Sequence, residues 1–303
     1  MTRPLLLERH LAWTPGAYAV WRFVFGAWLC VHFLQLLPWS TELWSNVGVL
    51  PDAADSPWQG RLHLYAISDR PLFVTITTGA AGLLSAMLAV GIGDRIAAVA
   101  LWYILAGQLA RNPLIENPGL AVMGWLLLAH ALVPSVRAAM RELPAAWPPQ
   151  PRWQMPPLLW AAAWTVMAAS YTYSGYAKLQ SPSWVDGTAL MRVLDNPLAR
   201  DTALRAMLHG LHEYVLGFLT WGALALELLY APLALLRALR PWLWLAMVLM
   251  QLGMLMVVDL VDLSLAMIMM HFFTLNPGWF SLRVPHRVRH RLREWRPVRD
   301  ATA

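Results

Sequence analysis

One lysine, Lys178, stands among 23 basic residues, and all the others are arginine. An arginine keeps its proton inside a protein, whereas a lysine amine withdrawn from water gives it up more readily. A neutral amine is a general base or a nucleophile. Lys178 closes an apolar run, so it reads as a base or, alternatively, as a cation snorkelling to a membrane interface. The residues before it are Tyr171-Thr172-Tyr173-Ser174-Gly175-Tyr176-Ala177. On a helix, Tyr171, Ser174, Gly175 and Lys178 share one face. Tyr171 and Ser174 carry hydroxyls that bind a ligand beside the amine. Gly175 leaves space for that ligand or for a second helix. Trp184 and Gly187 follow closely, and Trp184 would cap the site near the interface. The same face also reads as a plain helix-packing surface.

Other polar residues interrupt apolar runs. Arg22 and Glu227 are charges within them, and such charges are costly unless paired or functional. They are expected to form an ion pair that ties the first long helix to the sixth. Arg111, Asn112 and Asn117 either line the same cavity as Lys178 or cap helices and shape turns. His32, His130 and His271 read as hydrogen-bonding residues between helices. His209-x-x-His212-Glu213 lacks a third well-spaced ligand, so no metal is expected. The single cysteine, Cys30, permits no intrachain disulfide and reads as a small buried apolar residue. The sequence carries no phosphate-binding loop, dinucleotide fingerprint or nucleophile elbow.

The elements that must position these residues follow from composition. Of 303 residues 58% are apolar and 13% charged. Soluble domains average roughly 45–50% and 25%. The mean hydropathy is +0.48. Too few charges remain to cover two water-soluble domains, so the expected class is all-α, a polytopic membrane helix bundle. A spanning helix needs about 20 apolar residues. Candidate spans are 15–37, 70–91, 95–111, 119–136, 156–178, 214–236, 240–258 and 260–275, about eight in all. Prolines 15, 38, 71, 118, 134, 157, 241 and 277 punctuate their ends.

With both termini cytoplasmic, that side holds roughly twice as many basic residues as the other. Lys178 then faces the periplasm or exterior of a cell (inner) membrane. The net charge of +6 is explained by this bias and by a basic tail, not by nucleic acid. Residues 1–280 are expected to form one transmembrane domain, two four-helix halves joined by the Pro-rich linker 137–155. Residues 281–303 form a basic cytoplasmic tail that meets anionic membrane lipids. Two outer loops are long, 38–69 with Trp39, Trp44 and Trp58, and 179–213 with short amphipathic segments.

The pattern Tyr171-x-x-Ser174-Gly175-x-x-Lys178-Leu179 followed by Trp184-x-x-Gly187 resembles the horizontally transferred transmembrane domain family, which includes vitamin K-dependent gamma-carboxylase. Arg22-Phe23 with Gly26, Gly48-Val49-Leu50-Pro51, Arg111-Asn112-Pro113-Leu114-Ile115 with Asn117 and Gly119, and Glu227 fit in order over roughly 15–280. The resemblance implies that Lys178 is the base that deprotonates a reduced, vitamin K-like quinone, which then reacts with oxygen. Tyr171, Ser174, Gly175, Trp184, Gly187, Arg111, Asn112 and Asn117 would surround the quinol. Pro118 and Gln251 stand where relatives carry histidine, so the inherited part is a quinol-oxidising core more than glutamate carboxylation. A secreted or periplasmic protein or peptide is the implied substrate. The alternative within the resemblance is a non-catalytic membrane maturation or export factor for a secreted protein.

Overall fold

The computed structural model describes residues 11–52, 56, 62–115, 117–136 and 153–279. Trp58, the tail 281–303 and most of the linker 137–155 lie outside these. The described residues are all-helical, apart from one isolated bridge between Ala199 and Val258.

The long helices begin where the prolines stand. Helix α1, Pro15–Leu36, starts behind Thr14, whose hydroxyl accepts from Ala17 N at 3.1 Å. A short α2, Ser40–Trp44, continues it. Helices α3, Pro71–Val90, and α4, Asp94–Arg111, follow, then α5, Pro118–Leu132, capped by Asn117. Helix α6 is Pro157–Lys178. Proline at the first helical position gives up no hydrogen bond and fixes φ in the helical range. Short helices α7, Pro182–Val185, α8, Ala189–Leu194, and α9, Ala203–His209, come next. The sixth apolar run is two helices, α10, Glu213–Leu228, and α11, Tyr230–Leu235. The chain closes with α12, Arg240–Val257, and α13, Val261–Phe273.

The break between α10 and α11 has a local cause. Pro232 has no N–H for the Leu228 carbonyl, and its ring crowds that carbonyl. The hydroxyl of Thr172 accepts from Ala231 N at 3.1 Å, so the backbone amide just before the proline is satisfied from α6.

Three helical stretches are long and apolar enough to cross a membrane, Pro15–Trp44, Pro71–Val90 and Arg240–Val257. Both sides of α1 are apolar. It buries Tyr18, Trp21, Phe25, Leu29 and Phe33 while Val20, Phe23, Val24, Val31 and Leu34 face outward. A helix that is apolar all round and yet exposed on one side suits lipid rather than water.

Neighbouring helices pack in chain order from α1 and α3 through α4 to α5. In the second half α6 packs on α10 and α11, and α12 on α13. Helix α13 also packs on α5, α6 and α1. It joins the two halves into one continuous apolar core, which draws on α1, α3 to α6 and α11 to α13.

Candidate functional site around Lys178

Lys178 is the last residue of α6, where a cation also meets the helix's negative end. Its Nζ lies 2.5 Å from both carboxylate oxygens of Glu227, in the last turn of α10. The Glu227 side chain is 5% exposed and that of Lys178 is 25% exposed. The pair therefore sits at the edge of the buried region, with its acid inside and its amine toward the surface. The Nζ also lies over the Trp184 ring, 4.5 Å from its centroid, within cation–π range.

Gly175 explains how the pair can form. A Cβ at this position would stand 2.7 Å from the backbone nitrogen of Leu228 and 3.1 Å from the carbonyl carbon of Glu227. Only a residue without a side chain allows α6 to approach α10 this closely. Lys178, three residues on along the same face, is then carried to Glu227.

The segment after Lys178 runs back along α10. Trp221 Nε1 donates to the Val185 carbonyl at 3.1 Å, and Leu190 N donates to the Thr220 hydroxyl at 3.2 Å. Gly187 makes the turn with φ +83°, a left-handed conformation, and a Cβ there would lie 3.1 Å from the Trp221 ring. Asp186 accepts from the backbone N–H and hydroxyl of Thr188. These bonds hold its carboxyl below the usual range. Together they fix Trp184 over the lysine.

Lys178, Gly175, Trp184 and Gly187 thus come together, with Glu227 as an added member. Ser174 is half-buried on the same helix face. The Tyr171 hydroxyl is engaged elsewhere. It meets His271 Nε2 at 2.8 Å and accepts from Gln251 Nε2 at 2.9 Å, tying α6 to α13 and α12.

The expected Arg22–Glu227 pair is not formed. Arg22 donates to Asp94 Oδ2 at 2.9 Å, while Glu227 takes Lys178. The same Asp94 oxygen is 3.6 Å from His130 Nε2, and His130 Nδ1 meets the Tyr18 hydroxyl at 2.9 Å. The tight turn at 91–93 brings the start of α4 back beside α1, so a carboxylate at a helix start reaches the arginine.

Arg111 and Asn112, both fully buried, pin the 38–69 loop to the end of α4. Arg111 donates to the carbonyls of Ser45 and Pro51 at 3.1 and 3.3 Å and pairs with Asp69 at 3.3 Å. Asn112 donates to the Leu43 carbonyl at 2.7 Å. Asn117 accepts from Gly119 N at 2.8 Å. It also lines a cavity of about 190 Å³ with His32, Trp44, Gln108, Asp262 and aliphatic side chains. Neither Lys178 nor Glu227 belongs to that lining, so Asn117 and the lysine do not meet in it. His209 lies 3.4 Å from Asp195, and His212 caps α10 by accepting from Tyr214 N.

Comparison with family models, characterised proteins and solved structures finds no match to this chain.

Proposed function

We propose that this chain is a multi-pass enzyme of the inner membrane whose Lys178–Glu227 pair accepts a proton from a reduced quinone as oxygen oxidises it. The observation that carries this reading is the Lys178 amine, held between a buried carboxylate and a tryptophan ring with a quarter of its side chain exposed.

The two groups lie within hydrogen-bond reach, so a proton can pass from the Lys178 amine to the Glu227 carboxylate. When the proton rests on Glu227, the Lys178 amine is free to take another from a hydroxyl beside it. Trp184 screens the amine from water, and its flat ring offers a stacking surface for a planar ligand. A reduced quinone bound there would supply two electrons for the reduction of oxygen to hydrogen peroxide, leaving the quinone.

All eight apolar runs of the sequence contain helix, and the exposed faces of α1, α10 and α12 are apolar, which supports eight spans. The basic-residue bias supports both termini on the cytoplasmic side, with the amine opening outward.

Oxygen uptake by lipid-reconstituted protein supplied with a reduced naphthoquinone tests the reading. Uptake in the wild type that is lost in Lys178→Ala is expected. No uptake with several quinols would refute it and favour a maturation or export factor. For that second reading the specific observation is the close α6–α10 packing at Gly175, which makes Lys178–Glu227 a latch between helices.

A further inference from the structure

Helices α4 and α5 leave a furrow between them, about 550 Å³ and open along one side. It is lined by Arg95, Ile96, Val99, Ala100 and Tyr103 of α4 and by Ala131 of α5. The two alanines leave the space, and Ile96, Val99 and Tyr103 are exposed along it. The α4 residues recur at three- and four-residue spacing, so they share one helix face. From Arg95 to Tyr103 the helix rises about 12 Å, most of one leaflet's share of a roughly 30 Å hydrocarbon core. The one charged residue of the lining stands at an end. Arg95 is exposed in the first turn of α4, and its Nε donates to the Ala131 carbonyl at 2.8 Å, across the furrow. That bond fixes the guanidinium and leaves both Nη groups without a partner among the described residues. The adjacent carboxylate does not serve them. Asp94 takes Arg22 on one oxygen and the Arg95 backbone N–H on the other. A cation in the first turn of a helix gains nothing from the helix dipole, so Arg95 is not there to stabilise α4.

We propose that this furrow holds an anionic diacyl phospholipid, with one acyl chain along Ile96, Val99, Ala100 and Tyr103 and its phosphate on the Arg95 Nη groups. A guanidinium held at Nε turns its remaining N–H groups to phosphate oxygens in charge-assisted bonds. Charge complementarity selects the headgroup. Arg22 neutralises Asp94, so Arg95 leaves this end of the furrow with a net positive charge. A zwitterionic lipid brings a second cation to the same place and is disfavoured there. In the proposed topology this end lies on the cytoplasmic side, where the leaflet carries the anionic lipids. The site rests on the membrane reading of the chain and is independent of the Lys178 chemistry.

The test is native mass spectrometry of the full-length protein, released from detergent micelles after equilibration with lipid. The probes are palmitoyl-oleoyl phosphatidylglycerol and phosphatidylcholine with the same two chains. The wild type should hold phosphatidylglycerol about fivefold more tightly, the worth of one basic residue at an anionic surface. Arg95→Gln should abolish that preference. Ala100→Leu fills the furrow and keeps the charge, so it should weaken both lipids. Arg192→Gln removes an exposed arginine outside the furrow and should bind as the wild type does, as should Lys178→Ala. Equal retention of the two lipids by the wild type overturns the proposal. So does a preference kept in Arg95→Gln, wild-type binding in Ala100→Leu, or an equal loss in Arg192→Gln. A dimer that lipid does not displace would give the furrow to a second copy of the chain and overturns it too. Release of the protein from membranes by alkaline carbonate would contradict the membrane reading itself, whereas the lipid outcomes leave that reading intact.

Discussion

Lys178 and Glu227 meet through a glycine. Their charged groups are 2.5 Å apart because Gly175, one turn before the lysine, lets α6 lie against the backbone of α10 at Leu228. The α10 helix stops at Leu228, so the carboxylate sits in a final turn that Pro232 has ended. An ion pair with its acid buried and its amine at the opening is costly to keep for stability alone. Replacing such pairs by apolar residues is often neutral or stabilising.

That cost gives the first prediction. Glu227→Leu or Lys178→Met alone leaves one charge without its partner. Removing one partner of a buried pair costs about 3–5 kcal/mol. The quarter exposure of Lys178 places Glu227→Leu below that range and Lys178→Met, which strands the buried acid, within it. The double variant should recover most of the loss. Urea unfolding in detergent across the four proteins reads the coupling, and additive losses would rule out an energetic pair.

Gly175→Ala should separate α6 from α10. Its Cβ would meet Leu228 N at 2.7 Å, backbone that has no rotamer to yield. Overpacking of this kind costs about 1–3 kcal/mol. Oxygen uptake should fall with stability, because the lysine is displaced from Glu227. Wild-type stability in this variant would show that the approach is looser than described.

Arg22 and Glu227 should behave as independent sites. Arg22→Met leaves Asp94 with His130 and the Arg95 backbone N–H but no cation, and should destabilise by about 3 kcal/mol. Combined with Glu227→Leu the losses should add within about 0.5 kcal/mol. A coupling well above that would restore the Arg22–Glu227 pair.

Arg111 should govern the 38–69 loop. Its Nη2 holds two carbonyls and Asp69, and methionine offers a donor to none of them. Arg111→Met should speed amide exchange over residues 45–51, measured by mass spectrometry. Unchanged protection would show that Asn112 alone pins the loop.

The helices were legible in the sequence because their causes are local. Apolar runs set their lengths, and prolines 15, 71, 118 and 157 mark their starts. Pro232 also signalled the break in the sixth run, but an apolar run of spanning length masked it. Ion-pair partners were not legible, because they depend on which helices become neighbours. Asp94 stands at a helix start, outside the apolar runs in which a partner for Arg22 was sought. Gln251 and His271 reach Tyr171 only because α12 and α13 fold back against α6. Lys178 itself was legible because it is the one lysine among arginines, and Gly175 carried the trace of its neighbour.

The most direct measurement is oxygen uptake by Lys178→Arg, reconstituted with a reduced naphthoquinone beside the wild type. Arginine keeps the positive charge for Glu227 and the cation over Trp184, yet it does not release a proton. The variant is expected to fold with near wild-type stability and to take up no oxygen above background. Wild-type uptake by that folded variant would show that Lys178 latches two helices and carries no proton.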